Sequence, residues 1–132
     1  MHPQVSELWH GIRSAVQQTI PGRHYYITGW LNVLRDGTVL DWHTHNQHGT
    51  PGILHGYMSV DSEPTVTAYR IDNDTVNVEN KNGYLVFGYS TRDQHCTMPM
   101  PNGRTRVSIA FNAVPADSQS DRSLFGHWTP LT

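Results

Sequence analysis

Nine histidines stand against nine lysines plus arginines in this chain of 132 residues. Two of them form the pair His43-Thr44-His45 within Val39-Leu40-Asp41-Trp42-His43-Thr44-His45. On an extended backbone side chains alternate, so Val39, Asp41, His43 and His45 are predicted to share one face. Histidines at i and i+2 of a strand stand roughly 7 Å apart at Cβ, near enough for both imidazoles to ligate one metal ion. A polar surface stripe would give the same pattern, but a further histidine, His95, opens a later β-rich run and argues for the metal. Downstream, Arg106-Val107-Ser108-Ile109-Ala110-Phe111-Asn112 alternates cleanly. Val107, Ile109 and Phe111 form an apolar face, while Arg106, Ser108, Ala110 and Asn112 form the other. An inward arginine is costly unless it is paired with an anion. The guanidinium fork suits a carboxylate, and the Ser108 hydroxyl can share it. That carboxylate belongs either to a ligand or to an internal acid such as Asp41 or Asp93.

The elements that must position these residues are legible from periodicity. Val5, Leu8, Trp9, Ile12 and Val16 recur at helical spacing, Pro3 suits a first turn, and Pro21-Gly22 is a stop. One helix is therefore expected over residues 1–22, its apolar stripe covering the outer face of a sheet. From His24 onward short β-rich runs cover roughly 24–34, 38–45, 53–60, 64–71, 75–79, 83–88, 94–99 and 105–114, separated by turn sequences such as Asp36-Gly37, Asn82-Gly83 and Asn102-Gly103. Eight short strands with no helix among them predict an antiparallel sandwich or barrel over residues 23–115. The tail, 116–132, is Ser/Asp-rich and then apolar, and is expected to strap back over the surface. The length suits a single domain.

Composition narrows the function. A net charge of −2 offers no basic excess for phosphates, which argues against nucleic acid as a partner. No apolar stretch approaches the roughly 20 residues of a membrane helix. The first residues are amphipathic rather than basic-then-apolar, so no export signal is expected. With one cysteine no internal disulfide is possible, and a cytoplasmic setting is expected.

The run from Trp30, Asn32 and Gly37 to His43-Thr44-His45, then His55-Gly56-Tyr57, Gly83, His95 and Arg106-Val107-Ser108 with Asn112, resembles the Fe(II)/2-oxoglutarate-dependent oxygenases. The resemblance covers most of residues 26–114. It implies a mainly β fold, a double-stranded β-helix (a jelly-roll, cupin-like barrel) with one N-terminal α-helix. It implies Fe(II) bound by His43 and His95, and 2-oxoglutarate anchored by Arg106 with Ser108 assisting. Asn32 and, less directly, Tyr57 stand where relatives touch the cosubstrate. The implied activity uses O2 to hydroxylate a small molecule or a side chain while 2-oxoglutarate is decarboxylated to succinate. A monomer or homodimer is expected.

Two positions depart from the pattern. The third ligand of these oxygenases is a carboxylate two residues after the first histidine, and here that place is His45. The serine of the Ser-Gly-x-Tyr motif is His55. A three-histidine set His43, His45 and His95 leaves the metal its full charge, weakening retention of the ion and strengthening its pull on an anionic chelator. The same set resembles cupin-type dioxygenases that use no cosubstrate, in which Arg106 would hold a substrate carboxylate. A non-catalytic jelly-roll binding module is the remaining alternative. His48 is expected to face solvent, Cys96 to be a core thiol, Trp9 to be core, and Trp30 and Trp42 to pack the barrel or line its mouth.

Overall fold

A computed structural model of the chain describes residues 3–22, 24–35, 37–45, 53–89, 93–116 and 129–130. Helix α1 spans Pro3–Thr19. Its stripe buries Ile12 and Val16 completely, with Leu8 and Trp9 packed beside them, while Val5 at the free end stays exposed. Among the described residues no helix is long and apolar enough to cross a membrane.

The strands are β1 (Tyr25–Leu34), β2 (Leu54–Asp61), β3 (Val66–Ile71), β4 (Asp74–Glu79), β5 (Leu85–Tyr89), β6 (Gln94–Thr97), β7 (Arg106–Pro115) and β8 (Thr129–Pro130). They form two antiparallel sheets, β5-β2-β7-β1-β8 and β4-β3-β6. This is the mainly β, jelly-roll type of architecture expected, with one helix at its N-terminal end.

β1 pairs with β7 over its whole length, Tyr25 opposite Pro115 and Leu34 opposite Arg106. β2 flanks β7 on the other side, Leu54 opposite Ala113, with a register shift between Ser59 and Asp61. That register sorts the side chains by parity. Tyr25, Ile27, Leu54, Phe111 and Ala113 point to one face and form the core under α1, with Leu85 and Phe87 of β5 at its margin. The packing there is close enough to exclude a methyl group at Gly56, where a Cβ would stand 2.5 Å from the Phe111 ring and 2.6 Å from Phe87 Cβ. The opposite parity points Asn32, Tyr57, Arg106 and Ser108 at the second sheet. In that sheet β3 pairs with β6, Tyr69 opposite His95 and Thr67 opposite Thr97.

One element differs from the expectation. Residues 38–45 run alongside β6 without becoming a regular strand. Thr97 N–H donates to the Leu40 carbonyl (3.0 Å) and Leu40 N–H to Thr97 Oγ1 (2.7 Å). The backbones of His43 and His95 then exchange both hydrogen bonds at 3.0 Å, the one bridge formed by this segment. Between these contacts the Asp41 carboxylate accepts the N–H of Trp42 (2.7 Å), a local bond that replaces a ladder bond and shifts the alternation by one residue. Val39 and Asp41 consequently face solvent, and Leu40 takes the inward place with His43 and His45. Thr129–Pro130 adds a two-residue strand to the edge of β1, opposite Ile27 and Tyr26. Residues 117–128 lie outside the described residues, as does His48.

Candidate metal and anion site

The inner faces of the two sheets enclose a cavity of about 230 Å³. One wall belongs to β1, β2 and β7, which contribute Trp30, Asn32, His55, Tyr57, Arg106 and Ser108. The facing wall contributes Leu40, His43, His45, Thr67, His95 and Thr97. Seven residues singled out in the sequence, His43, His45, His95, Arg106, Ser108, Asn32 and Tyr57, therefore line one space.

The imidazoles gather at one part of it. The exchanged backbone bonds between His43 and His95 set the two rings side by side, centroids 4.4 Å apart. Each ring has its Nδ1 against the carbonyl two residues earlier, His43 on Asp41 (2.6 Å) and His95 on Asp93 (3.2 Å). A carbonyl only accepts, so Nδ1 carries the proton in both rings and Nε2 keeps its lone pair. This is the tautomer that a metal-ligating histidine held by an outer carbonyl adopts. His45 stands beside them, and its buried Nε2 has no hydrogen-bond partner among the described residues. Ligand nitrogens of His43, His45 and His95 all lie within 4.8 Å of one another. Imidazoles bonded to one ion at about 2.1 Å can stand at most about 4.2 Å apart, so a small ring movement closes the set. Burial, reinforced by His95 and His43, pushes the His45 pKa down to about 4, and burial also lowers that of His95. Both are kept neutral, the form that ligates.

Arg106 occupies the deeper part and is 2% exposed. Its Nη2 donates to Thr67 Oγ1 (3.0 Å), and Nε and Nη1 have no partner among the described residues. Neither Asp41 nor Asp93 answers it. The Asp41 side chain is turned to Trp42, and the groups that act on the Arg106 charge are the phenols of Tyr57 and Tyr69. Desolvation lowers the guanidinium's pKa, as expected for a buried cation that meets no acid among the described residues. Arg104, two residues earlier, instead pairs with Asp61 at the surface (3.0 Å). Ser108 lies opposite Asn32 of β1 and Ser59 of β2, which places hydroxyl and amide groups next to the fork.

Several residues of the site carry no motif. Thr67 holds the third guanidinium nitrogen and also donates to Asn80 Oδ1 (3.2 Å), which accepts the Tyr57 hydroxyl as well (2.8 Å). Asn80 in turn donates to Thr65 Oγ1 (2.9 Å). This buried chain fixes Tyr57 and Thr67 beneath Arg106, and burial raises the pKa of the Tyr57 phenol. The only sequence signal for Thr67 is its shared parity with Tyr69 on β3. Cys96 is buried with its back to the cavity. Trp42 stacks under the Arg70 guanidinium at 4.1 Å, and Trp30 borders the cavity with 37% of its surface exposed.

Solved structures share this arrangement of sheets. A non-heme α-ketoglutarate-dependent carbocyclase, SnoK, from nogalamycin biosynthesis superposes with a TM-score of 0.74 at 14% identity, covering 99% of this chain and 72% of that one. The chain has the double-stranded β-helix fold of non-heme 2-oxoglutarate-dependent oxygenases. A prolyl-4-hydroxylase of Pseudomonas putida matches with a TM-score of 0.62 at 16% identity, over 80% of this chain and 61% of its own. The nickel complex of the non-heme monooxygenase ThoJ matches with 0.66 at 16%, over 82% and 51%. The chain thus spans between half and two thirds of the length of the last two. No family model and no curated protein matches the sequence. At these identities the likeness shows the oxygenase fold, and the chemistry rests on the side chains described above.

Proposed function

We propose that this protein is an Fe(II)- and 2-oxoglutarate-dependent oxygenase that hydroxylates a small molecule or an exposed side chain. The observation that carries the reading is the buried Arg106 guanidinium, which keeps two nitrogens unpartnered among the described residues in the same cavity as three clustered imidazoles. A buried cation without a protein acid is costly, and a ligand carboxylate removes that cost. The donor set fits a divalent metal, because the rings of His43 and His95 are locked in the ligating tautomer and His45 has an orphaned buried nitrogen.

In this reading His43, His45 and His95 hold the ion. Fe(II) in that place supplies the oxidative chemistry with O2, yielding succinate, carbon dioxide and a hydroxylated product. The chain supplies orientation and a dry site. Arg106 Nη1 and the second N–H of Nη2 bind the far carboxylate of 2-oxoglutarate as an end-on fork, while Thr67 holds the guanidinium in position through the other N–H of Nη2. Ser108 and Asn32 add hydrogen bonds beside the fork. Tyr57, fixed through Asn80, presents its ring under the guanidinium, 5.8 Å from the charge centre. No side chain of this set needs to transfer a proton.

One observation favours a second reading. Among the described residues the metal-binding group contains three histidines and no acid, the donor set of a dioxygenase without cosubstrate, with Arg106 then holding the carboxylate of the primary substrate. Incubation with Fe(II), O2 and 2-oxoglutarate separates the two. Succinate that forms only in the presence of the iron-loaded protein agrees with the proposal, and its absence at stoichiometric enzyme turns the assignment to the second reading.

A further inference from the structure

His55 belongs to none of the groups assigned above. Its ring is 7% exposed and lies face to face with His45, centroids 3.6 Å apart and planes 10° from parallel. It also lies 4.6 Å from the His95 ring at 15°. On its other side Nδ1–H donates to Asn112 Oδ1 (3.0 Å), a residue directly across from it on β7. Two strands of the inner sheet therefore hold this ring and its orienting amide as one unit.

The stacking rules out a shared ion. An imidazole ligates along a lone pair in its own plane. Between parallel rings 3.6 Å apart, an ion midway would stand about 1.8 Å above each plane while only about 2.1 Å from each nitrogen, far outside any ligating direction. His55 is accordingly absent from the set of nitrogens that converge. What the contact does define is the plane of His45, for which, unlike His43 and His95, no Nδ1–H bond to a carbonyl is seen among the described residues.

From this we infer that His55, oriented by Asn112, is a positioning residue for the metal centre, a flat wall that fixes the plane in which His45 presents its nitrogen. The inference rests on His45 being a ligand. It explains why an aromatic ring occupies a β2 position whose neighbours across the sheet, Asn112 and Gly88, leave room for a planar group.

The test is titration of the metal-free full chain with Co(II), read by affinity and by the visible absorption of the bound ion, whose bands report ligand geometry. In His55→Ala the wall is lost, and Co(II) binding should weaken by about 10- to 100-fold, the usual penalty for losing an orienting outer group, with altered bands. His55→Phe restores a flat ring without nitrogen, and both affinity and bands should return to within about threefold of the unaltered protein. Asn112→Ala, which leaves the ring in place but frees its rotation, should fall between the two and covers the case in which His55→Ala does not fold. Unchanged affinity and bands in folded His55→Ala, or in Asn112→Ala if that alone folds, overturn the inference. A loss in His55→Phe as large as in His45→Ala also overturns it, because the nitrogen rather than the plane would then matter. Failure of the unaltered protein to bind Co(II) removes the metal reading itself, a result distinct from these.

Discussion

Replacing Arg106 by lysine separates the fork from the charge. The guanidinium is buried, one N–H of Nη2 goes to Thr67, and Nη1, which has no partner among the described residues, faces a ligand together with the other N–H of Nη2. A carboxylate seated there gains two parallel charge-assisted hydrogen bonds. Lysine keeps the positive charge on a compact ammonium and loses the planar pair, so one such bond is forfeited and the contact to Thr67 competes for what remains. A hydrogen bond to a charged group contributes about 1.5–3 kcal/mol, which corresponds to roughly 10- to 150-fold in dissociation constant. The assay is anaerobic calorimetric titration of 2-oxoglutarate into the Fe(II)-loaded variant and its parent. Arg106→Met supplies the control. It removes a buried cation that has no counter-ion among the described residues and should raise Tm of the ligand-free protein while abolishing 2-oxoglutarate binding. Equal affinity in Arg106→Lys and the parent would refute the assignment of the fork, and a lower Tm in Arg106→Met would refute the claim that the charge is uncompensated.

Three further outcomes are expected. His45→Ala should lose at least about tenfold in Fe(II) affinity by anaerobic titration, and His45→Asp should recover it by supplying an anionic oxygen donor; undiminished binding in the alanine variant makes His45 a bystander. The folded state holds His45, His55 and His95 below the ordinary imidazole pKa of 6.5, so the unfolded chain binds more protons as pH falls. Stability of the metal-free protein should therefore be fully present above pH 6.5 and decline toward pH 4, with a smaller slope in His55→Phe; a Tm constant from pH 7 to pH 5 contradicts this. Gly56→Ala should destabilise the protein by about 1–3 kcal/mol in denaturant unfolding, because its Cβ meets Phe111 and Phe87 in a packed core, and unaltered stability would mean that this core gives way.

The parts of this molecule that follow simple periods were readable in advance. Ile12 and Val16 lie on the buried stripe of α1 because the 3.6-residue repeat admits one apolar face. Arg106 and Ser108 lie inside because β7 pairs with β1 residue by residue over its whole length, which keeps its two-residue repeat. The segment 38–45 departs from the two-residue repeat where a side chain competes with the backbone. The bond from Trp42 N–H to Asp41 shifts the face by one residue, so Leu40 lines the cavity in place of Asp41. Thr67 and Asn80 left no local trace because their importance arises from what lies across the cavity. A threonine on a strand is ordinary until the fold sets it 3.0 Å from a buried guanidinium. The role of His55 was hidden for the same reason, since its contact with His45 joins elements that meet only when the two sheets close over the cavity.

The central claim is that a metal held by the histidines and the Arg106 fork together make one binding site for 2-oxoglutarate. It is tested most directly by anaerobic titration of 2-oxoglutarate into the protein with and without Fe(II), using glutarate, which lacks the 2-oxo group, for comparison. One 2-oxoglutarate should bind per chain, tightly only with the metal present, and glutarate much more weakly. Binding that ignores the metal, or no binding by the iron-loaded protein, would contradict it.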